Sequence, residues 1–374
     1  MGFLQKLFAK KEETTKSYGE FWDWFQKHEK AFHKVIKQRD HPAKNFFEKL
    51  SPRLNDLKDG FFYLTGMLNE KTAELVFTPD GIVRNIVFVE ELVSAAPEME
   101  GWKFTALKPA VDIRNLGVKM EGLTFNNENM SFYSTGQVDF PDEIDITIVH
   151  SDLTEENRSN ITRGVCIFLD NFLGELNFVT TIDNISVLGT GEAAKELIPI
   201  EKLKDFLIWR QKEFVGKYEG VRRNTEKDNH SILEAQLKNG NALIAVINTD
   251  LLEWDHKSSH PWILDVGIQY DGKGNNGMPD KNTHQILDEI EKDILRELKD
   301  FDGYLNIGRQ TADSNREIYF ACRDFRKPSK VLHAIQQKYA GRQAITFDIY
   351  KDKYWQSFAR FMNDGNREIE NESF

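Results

Sequence analysis

Apolar residues recur along the chain with two periods, one helical and one extended, which predicts a mixture of α-helices and β-strands. In the first half, large apolar side chains at helical spacing indicate an amphipathic helix over roughly residues 19–39 and a more apolar helix over 160–173. Alternation of Ile with polar residues predicts a strand over 144–150, and another strand is expected over 178–188. Residues 198–209 are interpreted as a segment that bridges the two halves.

The second half shows a clearer order of elements. Thr283 is the expected N-cap of a helix that runs to Leu298 and presents one apolar face. The other predicted elements are the strands 242–252, 262–270, 304–309, 317–323 and 344–350 and the helices 331–339 and 354–362. The resulting order, ββαββαβ, predicts an antiparallel sheet with helices on one face, near the ferredoxin-like class.

A length of 374 residues favours two domains. The mixture of predicted elements indicates an α+β fold for both. We place an N-terminal tail at 1–18, an N-terminal α+β domain at 19–200, a C-terminal α+β domain at 201–362 and an acidic tail at 363–374. The acidic tail is polar and poor in large apolar residues, so we expect it to be disordered.

The net charge of −11 is unevenly distributed. Residues 121–200 contain 14 Asp and Glu residues against three basic residues, Arg158, Arg163 and Lys195. A net-acidic chain is a poor ligand for phosphate backbones, so no nucleic acid is expected as a partner. One hypothesis is that the acidic segment 121–200 contacts a basic protein partner. The alternative is that its charge keeps the protein soluble.

Cys166 and Cys322 lie far apart, each within an apolar run, which indicates neither a disulfide framework nor a metal cluster. Two isolated thiols are typical of a reducing compartment, and we expect a cytoplasmic location. The sequence contains no run of roughly 20 apolar residues, so no membrane span is expected.

A glycine-rich segment at 272–277 matches the G-x-G-x-x-G pattern of dinucleotide-binding loops and follows a predicted strand. In such loops the last glycine lies at the start of a helix whose amides meet the pyrophosphate. Here Met278, Pro279 and Asp280 separate Gly277 from the expected helix. We therefore interpret the glycines as turn residues with positive φ and expect no cofactor.

Two histidines, His256 and His260, have the spacing of a helical metal site, but Pro261 and neighbouring serines place them in a loop. We therefore expect no metal. The sequence also contains no nucleophile elbow, and neither cysteine has a neighbouring histidine, so no catalytic residue is assigned.

The best local candidates for binding are Arg309, Thr311 and Arg316, which flank a predicted hairpin turn. Two guanidinium groups beside such a turn suit a carboxylate or a phosphate. The alternative is that the two arginines pair with local acids such as Asp313 and Glu317.

Five pieces of sequence, in their order and spacing, resemble the bacterial family called domain of unknown function 695, or DUF695. The pieces are Asn276-Gly-Met-Pro279, Leu287-Asp-Glu-Ile-Glu291, Gly308-Arg309-x-Thr311, Arg316-Glu-Ile-Tyr-Phe320 and Asp352-x-x-Trp355. The resemblance covers residues 205–362, with one departure: Lys353 and Tyr354 stand where a Pro is expected after Asp352. It implies no established activity. Some relatives are joined to domains similar to acidic ribonuclease-regulator proteins, which is a likeness of fold alone.

The sequence therefore favours a cytoplasmic, non-enzymatic protein that acts by binding or regulating a partner. One alternative is an enzyme whose site assembles from distant residues near Arg309 and Arg316. Another alternative is an immunity-type protein that neutralises a toxin, or a ribonuclease-regulator-like protein.

Overall fold

The computed structural model describes residues 15–362, so the predicted acidic tail and most of the N-terminal tail, residues 1–14, lie outside it. Two compact units make up the described chain, with the division between Pro109 and Ala110. Each unit combines helices with β-sheets, which confirms the mixed α+β prediction.

The first unit combines three helices with a three-stranded sheet. Its elements are α1 (Tyr18–Gln38), α2 (Glu48–Leu57), β1 (Phe62–Met67), β2 (Ala73–Thr78), α3 (Ile86–Ser94) and β3 (Trp102–Ala106), with a π-helical turn at Ala43–Phe47. Strands β1 and β2 pair antiparallel, and β2 and β3 pair parallel. A parallel pair requires a crossover connection, and α3 provides it.

Helix α1 confirms the predicted amphipathic helix and forms the aromatic core of this unit. It begins where the Ser17 hydroxyl accepts a hydrogen bond from the amide of Glu20 at 3.2 Å. Phe21, Trp22 and Phe25 on its apolar face are at most 2% exposed. Phe21 and Trp22 make edge-on contacts with Phe77 of β2, and this aromatic packing holds the helix on the sheet.

The second unit begins with a smaller sheet of four strands in the order β8-β7-β6-β9. The elements of this part are β4 (Val118–Met120), β5 (Leu123–Phe125), β6 (Met130–Ser134), β7 (Asp145–His150), α4 (Arg158–Leu173), α5 (Glu175–Thr181), β8 (Asn184–Gly189), β9 (Ile198–Pro199) and α6 (Leu203–Tyr218). Helix α4 packs its buried residues Val165, Phe168 and Phe172 into one core with Ile146 and Ile148 of β7. The predicted strand at 144–150 and helix at 160–173 are therefore confirmed.

The unit continues with a sheet of six antiparallel strands in the order β10-β11-β13-β14-β12-β15. Its elements are β10 (His230–Gln236), β11 (Ala242–Asn248), α7 (Thr249–Leu252), β12 (Trp262–Gln269), α8 (Lys281–Glu297), β13 (Tyr304–Ala312), β14 (Asn315–Cys322), α9 (Arg326–Tyr339) and β15 (Ala344–Lys351). A closing 3₁₀ segment, Gln356–Phe361, packs Phe358 against Tyr319 of β14.

Several local predictions need correction. The strand predicted over 242–252 ends at Asn248, and Thr249–Leu252 form α7. The segment predicted as a bridge, 198–209, contains β9, a 3₁₀ turn at Ile200–Lys202 and the start of helix α6. The apolar residues of α6 lie on several sides, with Ile208 62% exposed, so no single apolar stripe marked it as a helix. The strand predicted over 178–188 divides into α5 and β8. Helix α8 is capped by Asp280 instead of Thr283, because the Asp280 carboxylate accepts the amide of Thr283 at 2.7 Å.

The division of the chain after Pro109 differs from the predicted boundary after residue 200. Residues 110–218 belong to the same unit as the six-stranded sheet because side chains just after β15 bind the loops of the smaller sheet. Lys353 donates hydrogen bonds to the Asp183 carboxylate at 2.8 Å and to the Asp142 carbonyl at 2.6 Å. These bonds join parts of the chain that the sequence pattern alone assigned to different domains.

Candidate functional site

A cleft of about 560 Å³ opens in the second unit, where α5 and α6 face the rim of the six-stranded sheet. The rim consists of the start of β12, the connection between β14 and α9, and the end of β15. Five cationic and two acidic side chains line the cleft: Arg222, Arg323, Arg326, Lys351, Lys353, Glu219 and Asp324. The lining therefore has a net positive charge on a chain whose net charge is −11.

The wall contributed by α5 and α6 combines apolar side chains with the polar side chains of Asn177, Thr180 and Gln211. Leu176 of α5 and Phe214 and Val215 of α6 line it, and Val215 is 54% exposed. An exposed apolar surface opposite a cationic one suits a ligand that combines an acidic group with an apolar body.

A buried ionic cluster lies behind the cationic wall, and we define it by the residues Asp142, Glu143, Asp183, Lys217, Lys351 and Lys353. Within it, one carboxylate serves two ammonium groups, because Lys351 and Lys353 each lie 2.8 Å from an oxygen of Asp183. The side chains of Lys351 and Lys353 are 12% and 1% exposed. The wall of the cleft thus contains two buried positive charges around a single shared negative charge.

Burial moves the pKa values of two members of the ionic cluster towards neutrality. Burial lowers the pKa of Lys351 to about 8, and the positive charge of Lys353 adds to this shift while Asp183 opposes it. Burial also raises the pKa of Glu143 to about 7, helped by the negative charges of Asp145 and Asp183. The cluster therefore changes its net charge within the physiological pH range.

Asp142 stays ionised in the same cluster. Burial on its own would raise the pKa of this carboxyl, but hydrogen bonds from Lys217, Tyr218 and Tyr354 lower it below its ordinary value. The donor distances are 2.8 Å for Lys217, 2.5 Å for the Tyr218 hydroxyl and 2.8 Å for the Tyr354 hydroxyl. Asp142 therefore fastens both α6 and the segment after β15 to the smaller sheet.

The three arginines of the cleft differ in their partners. Arg326 lies 3.4 Å from Asp324, whose carboxylate also accepts the first amides of α9. Arg222 donates to the carbonyl of Val221 at 2.8 Å. Within residues 15–362, neither Arg222 nor Arg323 forms an ion pair with an Asp or Glu side chain, so both guanidinium groups remain available to a ligand in the cleft.

The predicted candidates Arg309, Thr311 and Arg316 lie together, but they do not line the cleft. Arg316 is 2.9 Å from Asp288 of α8, and Arg309 is 2.8 Å from Glu291 of the same helix. Arg316 also donates to the Thr311 hydroxyl at 3.2 Å. Both arginines thus pair with acids of α8.

The local partners proposed for these arginines, Asp313 and Glu317, are engaged elsewhere. Asp313 accepts hydrogen bonds from Asn239 and Asn241, and Glu317 accepts one from Gln310. A ligand-binding role for Arg309, Thr311 and Arg316 stays a prediction.

The glycine-rich segment forms a turn, as predicted. Gly274 and Gly277 have φ values of 81° and 77°, and Asn276 also has positive φ. A Cβ on Gly277 would lie 3.0 Å from the backbone of Asp313, so the close approach of the β13–β14 turn also requires glycine there. Helix α8 begins only at Lys281, after these turns.

The predicted loop position of the histidine pair is confirmed, since His256 and His260 flank the 3₁₀ turn Lys257–Ser259. His260 is fully buried, its Nδ1 lies 2.8 Å from the Ser259 hydroxyl, and burial lowers its pKa to about 4. Among residues 15–362, no group of three or more His, Cys, Asp or Glu side chains is arranged to hold a metal ion. Within the same residues, no helix has the length and apolar character needed to cross a membrane.

Several acids of the acidic segment 121–200 are buried or form ion pairs inside the protein. Glu143, Asp145 and Glu175 are buried, and Asp142 and Asp183 belong to the ionic cluster. Eight of its 14 acids are exposed: Glu121, Glu128, Asp139, Asp152, Glu155, Glu156, Glu192 and Glu196. The segment is thus partly a set of counter-ions for lysines of the six-stranded sheet.

Sequence reasoning missed Lys351, Lys353 and their partner Asp183. One signal was present, because Lys353 and Tyr354 replace the Pro that the family pattern leads one to expect after Asp352. The structure gives this departure a physical reason, since both side chains bind Asp142 or Asp183. Charged and aromatic residues at this position attach the sheet to residues 110–218.

Comparison with known proteins gives one match. Residues 230–363 match the model of a family of unknown function, DUF695, and the match begins at the first residue of β10. This result confirms the resemblance seen in the sequence. No curated protein and no solved structure matches the chain.

Proposed function

Because residues 230–363 match a family of unknown function, DUF695, we propose a function from the geometry of the cleft. The protein is a non-enzymatic binding module, and the cleft binds a ligand or a partner through an acidic group. The observation that carries this proposal is the convergence of five cationic side chains on a cleft with two acidic ones. Charge-assisted hydrogen bonds to arginine and lysine are the usual means of holding such a group.

A binding role is also supported by the types of residue in the cleft. Among the residues that the structure describes, no histidine or cysteine lines it, and its Asp324 accepts the amides that begin α9. The alternative of an enzyme site around Arg309 and Arg316 receives less support. Their guanidinium groups pair with Glu291 and Asp288, and Arg316 is only 2% exposed.

Ligand-dependent thermal stability tests the proposal. Small carboxylates, sulfates and phosphates should raise the Tm of the wild-type protein, whereas neutral and basic compounds of similar size should not. The double variant Arg222→Gln/Arg323→Gln should lose the effect. The matched control Lys238→Gln, which removes an exposed charge from the β10–β11 turn, should retain it. Equal stabilisation by neutral compounds, or an undiminished effect in the double variant, would rule out the cleft as the binding site.

For the C-terminal fold, we propose the ferredoxin-like arrangement for residues 262–351. The elements β12, α8, β13, β14, α9 and β15 follow one another in the order βαββαβ. Their strands occupy the sheet order β13-β14-β12-β15 with antiparallel neighbours, which supports this arrangement.

A second candidate function is the binding of a basic protein partner by the exposed acids of residues 121–200. An immunity-type protein that neutralises a basic toxin is one example of such a function. The eight exposed acids support this candidate. Replacing Glu128, Glu156 and Glu196 with Gln should weaken binding of an oligolysine peptide if it is correct, and unchanged binding would count against it. We also propose a cytoplasmic location, supported by the two free cysteines, Cys166 and Cys322.

A further inference from the structure

The cationic groups of the cleft come from three separate stretches of the chain. Arg222 lies in the segment after α6, Arg323 lies between β14 and α9, and Lys351 is the last residue of β15. A group bound among them is approached from several directions. Such an arrangement suits an anion whose acceptor oxygens also point in several directions.

Lys351 has one hydrogen-bond donor left for a ligand. An ammonium group carries three N–H donors. Two of them are used, by the Asp183 carboxylate at 2.8 Å and by the Thr181 carbonyl at 3.1 Å. Within residues 15–362 the third has no protein acceptor, and the side chain lines the cleft.

Lys353 differs from Lys351 in this respect. Its ammonium group donates to the Asp183 carboxylate and to the Asp142 carbonyl, and it lies 4.3 Å from the centre of the Phe214 ring. Lys353 therefore contributes charge and support, whereas Lys351 contributes a free N–H.

The local charge calls for more than one negative charge in the ligand. Lys351 and Lys353 are both ion-paired with the Asp183 carboxylate, and Glu143, whose pKa is about 7, is the other acid that acts on them. Arg222 and Arg323 add two guanidinium groups without carboxylate partners within residues 15–362. A carboxylate supplies one charge and two oxygens in a plane. A phosphate monoester supplies roughly −1.5 to −2 charges and three oxygens arranged around the phosphorus.

We infer that the cleft binds a small-molecule phosphate monoester, with the phosphate on Lys351, Arg323 and Arg222 and the organic part on Leu176, Phe214 and Val215. This inference rests on the proposed function, in which the cleft is the binding site, and it specifies the class of ligand. An aromatic or aliphatic ester fits this position better than a sugar phosphate, because Leu176, Phe214 and Val215 offer no hydrogen bond to the part of the ligand that they contact.

Isothermal titration with the full chain tests this inference, with phenyl phosphate as the probe. Phenyl phosphate should bind at least about tenfold more tightly than benzoate, and more tightly than ribose 5-phosphate or inorganic phosphate. Arg323→Gln should weaken phenyl phosphate binding by about tenfold or more, and Arg222→Gln should weaken it by a smaller factor. The control Lys238→Gln should bind as the wild type does.

The pH dependence provides a readout that a general loss of folding would not produce. Lys351 faces Asp183, Lys353 and Glu143 inside the protein, and its pKa of about 8 means that its charge is lost as pH rises above that value. Phenyl phosphate binding should therefore weaken above pH 8 in the wild type. In Lys351→Met the affinity should be lower and this decline should be absent. If Lys351→Met does not fold, the two arginine variants still decide the question.

The possible failures are distinguishable. If benzoate binds as tightly as phenyl phosphate, and both are weakened in Arg323→Gln, the phosphate inference is wrong and the proposed acidic-ligand site stands. If a phosphoserine peptide binds more tightly than phenyl phosphate in the cleft, the ligand is a phosphorylated protein and the small-molecule inference is wrong. If no acidic compound binds, or if binding is unchanged in both arginine variants, the inference and the proposed function both fail.

Discussion

Replacing Lys353 with Met should cost the second unit about 3 kcal/mol of unfolding free energy. The Lys353 side chain is 1% exposed, and its ammonium group donates to the Asp183 carboxylate at 2.8 Å and to the Asp142 carbonyl at 2.6 Å. Removing one partner of a buried ion pair typically costs about 3–5 kcal/mol, because the remaining charge is left buried. We expect the lower end because Lys351 still lies 2.8 Å from Asp183.

Urea denaturation followed by circular dichroism measures this loss, with Lys217→Met as the control. The Lys217 ammonium lies 2.8 Å from Asp142, but its side chain is 53% exposed, so its removal should cost less than about 1 kcal/mol. For a unit of this size, 3 kcal/mol corresponds to a fall in Tm of roughly 6–12 °C. If Lys353→Met is within about 0.5 kcal/mol of the wild type, or no less stable than Lys217→Met, the ionic cluster does not hold the unit together in the way described.

Three further predictions concern stability. Gly308→Ala should lower the free energy of unfolding by more than about 2 kcal/mol in urea denaturation. Gly308 has a φ of 144°, and an added Cβ would lie 2.2 Å from the Val246 carbonyl oxygen. An unchanged denaturation midpoint would contradict this packing. Arg316→Met should lower the unfolding free energy by about 3 kcal/mol, because the buried guanidinium pairs with Asp288, and a thermal melt identical to the wild type would contradict the pairing. The pKa of Glu143 is raised from 4.5 to about 7, so the folded state binds more protons than the unfolded state between these pH values and stability falls as pH rises through them. Glu143→Gln should remove this fall, which is roughly 3 kcal/mol for a shift of this size, and parallel stability profiles for the two proteins from pH 4.5 to 7 would show that Glu143 is not the cause.

The order of elements in the C-terminal half could be predicted because each element has a strong local signal. Helix α8 has one apolar face at helical spacing. The glycine turn before it and the turn between β13 and β14 mark the ends of the strands, where the regular apolar spacing stops. Strand β10 lacked such a signal, since its outward residues include an Ile that is 67% exposed, Ile232. It lies at the edge of the sheet, where one side of the strand has no neighbour to specify an apolar pattern.

The grouping of Arg309, Thr311 and Arg316 was predictable from the hairpin, but their partners were not. Residues on a strand alternate between faces, and Thr311 pairs with Arg316 across the hairpin, so the three share one face of the sheet. Glu317 follows Arg316 directly and therefore points to the other face. The acids that pair with these arginines come from α8, and the position of that helix depends on tertiary packing.

The candidate site could not be predicted from local sequence patterns, because its residues are far apart in the chain. Lys353 binds Asp183, 170 residues earlier in the chain, and the carbonyl of Asp142, 211 residues earlier. No periodicity or spacing rule connects residues at such separations, because their contact depends on how the four-stranded and six-stranded sheets of the second unit assemble. The departure from the expected Pro after Asp352 was the one local sign that this position serves a different contact.

The most direct test of the anion-binding cleft is an NMR titration of the Lys351 ammonium group with and without phenyl phosphate. We predict that Lys351 titrates near pH 8, below the ordinary lysine value of 10.5, and that bound phenyl phosphate raises this pKa, because a negative charge favours the charged form of lysine. A Lys351 signal that titrates together with the surface lysines and does not respond to phenyl phosphate would contradict the account.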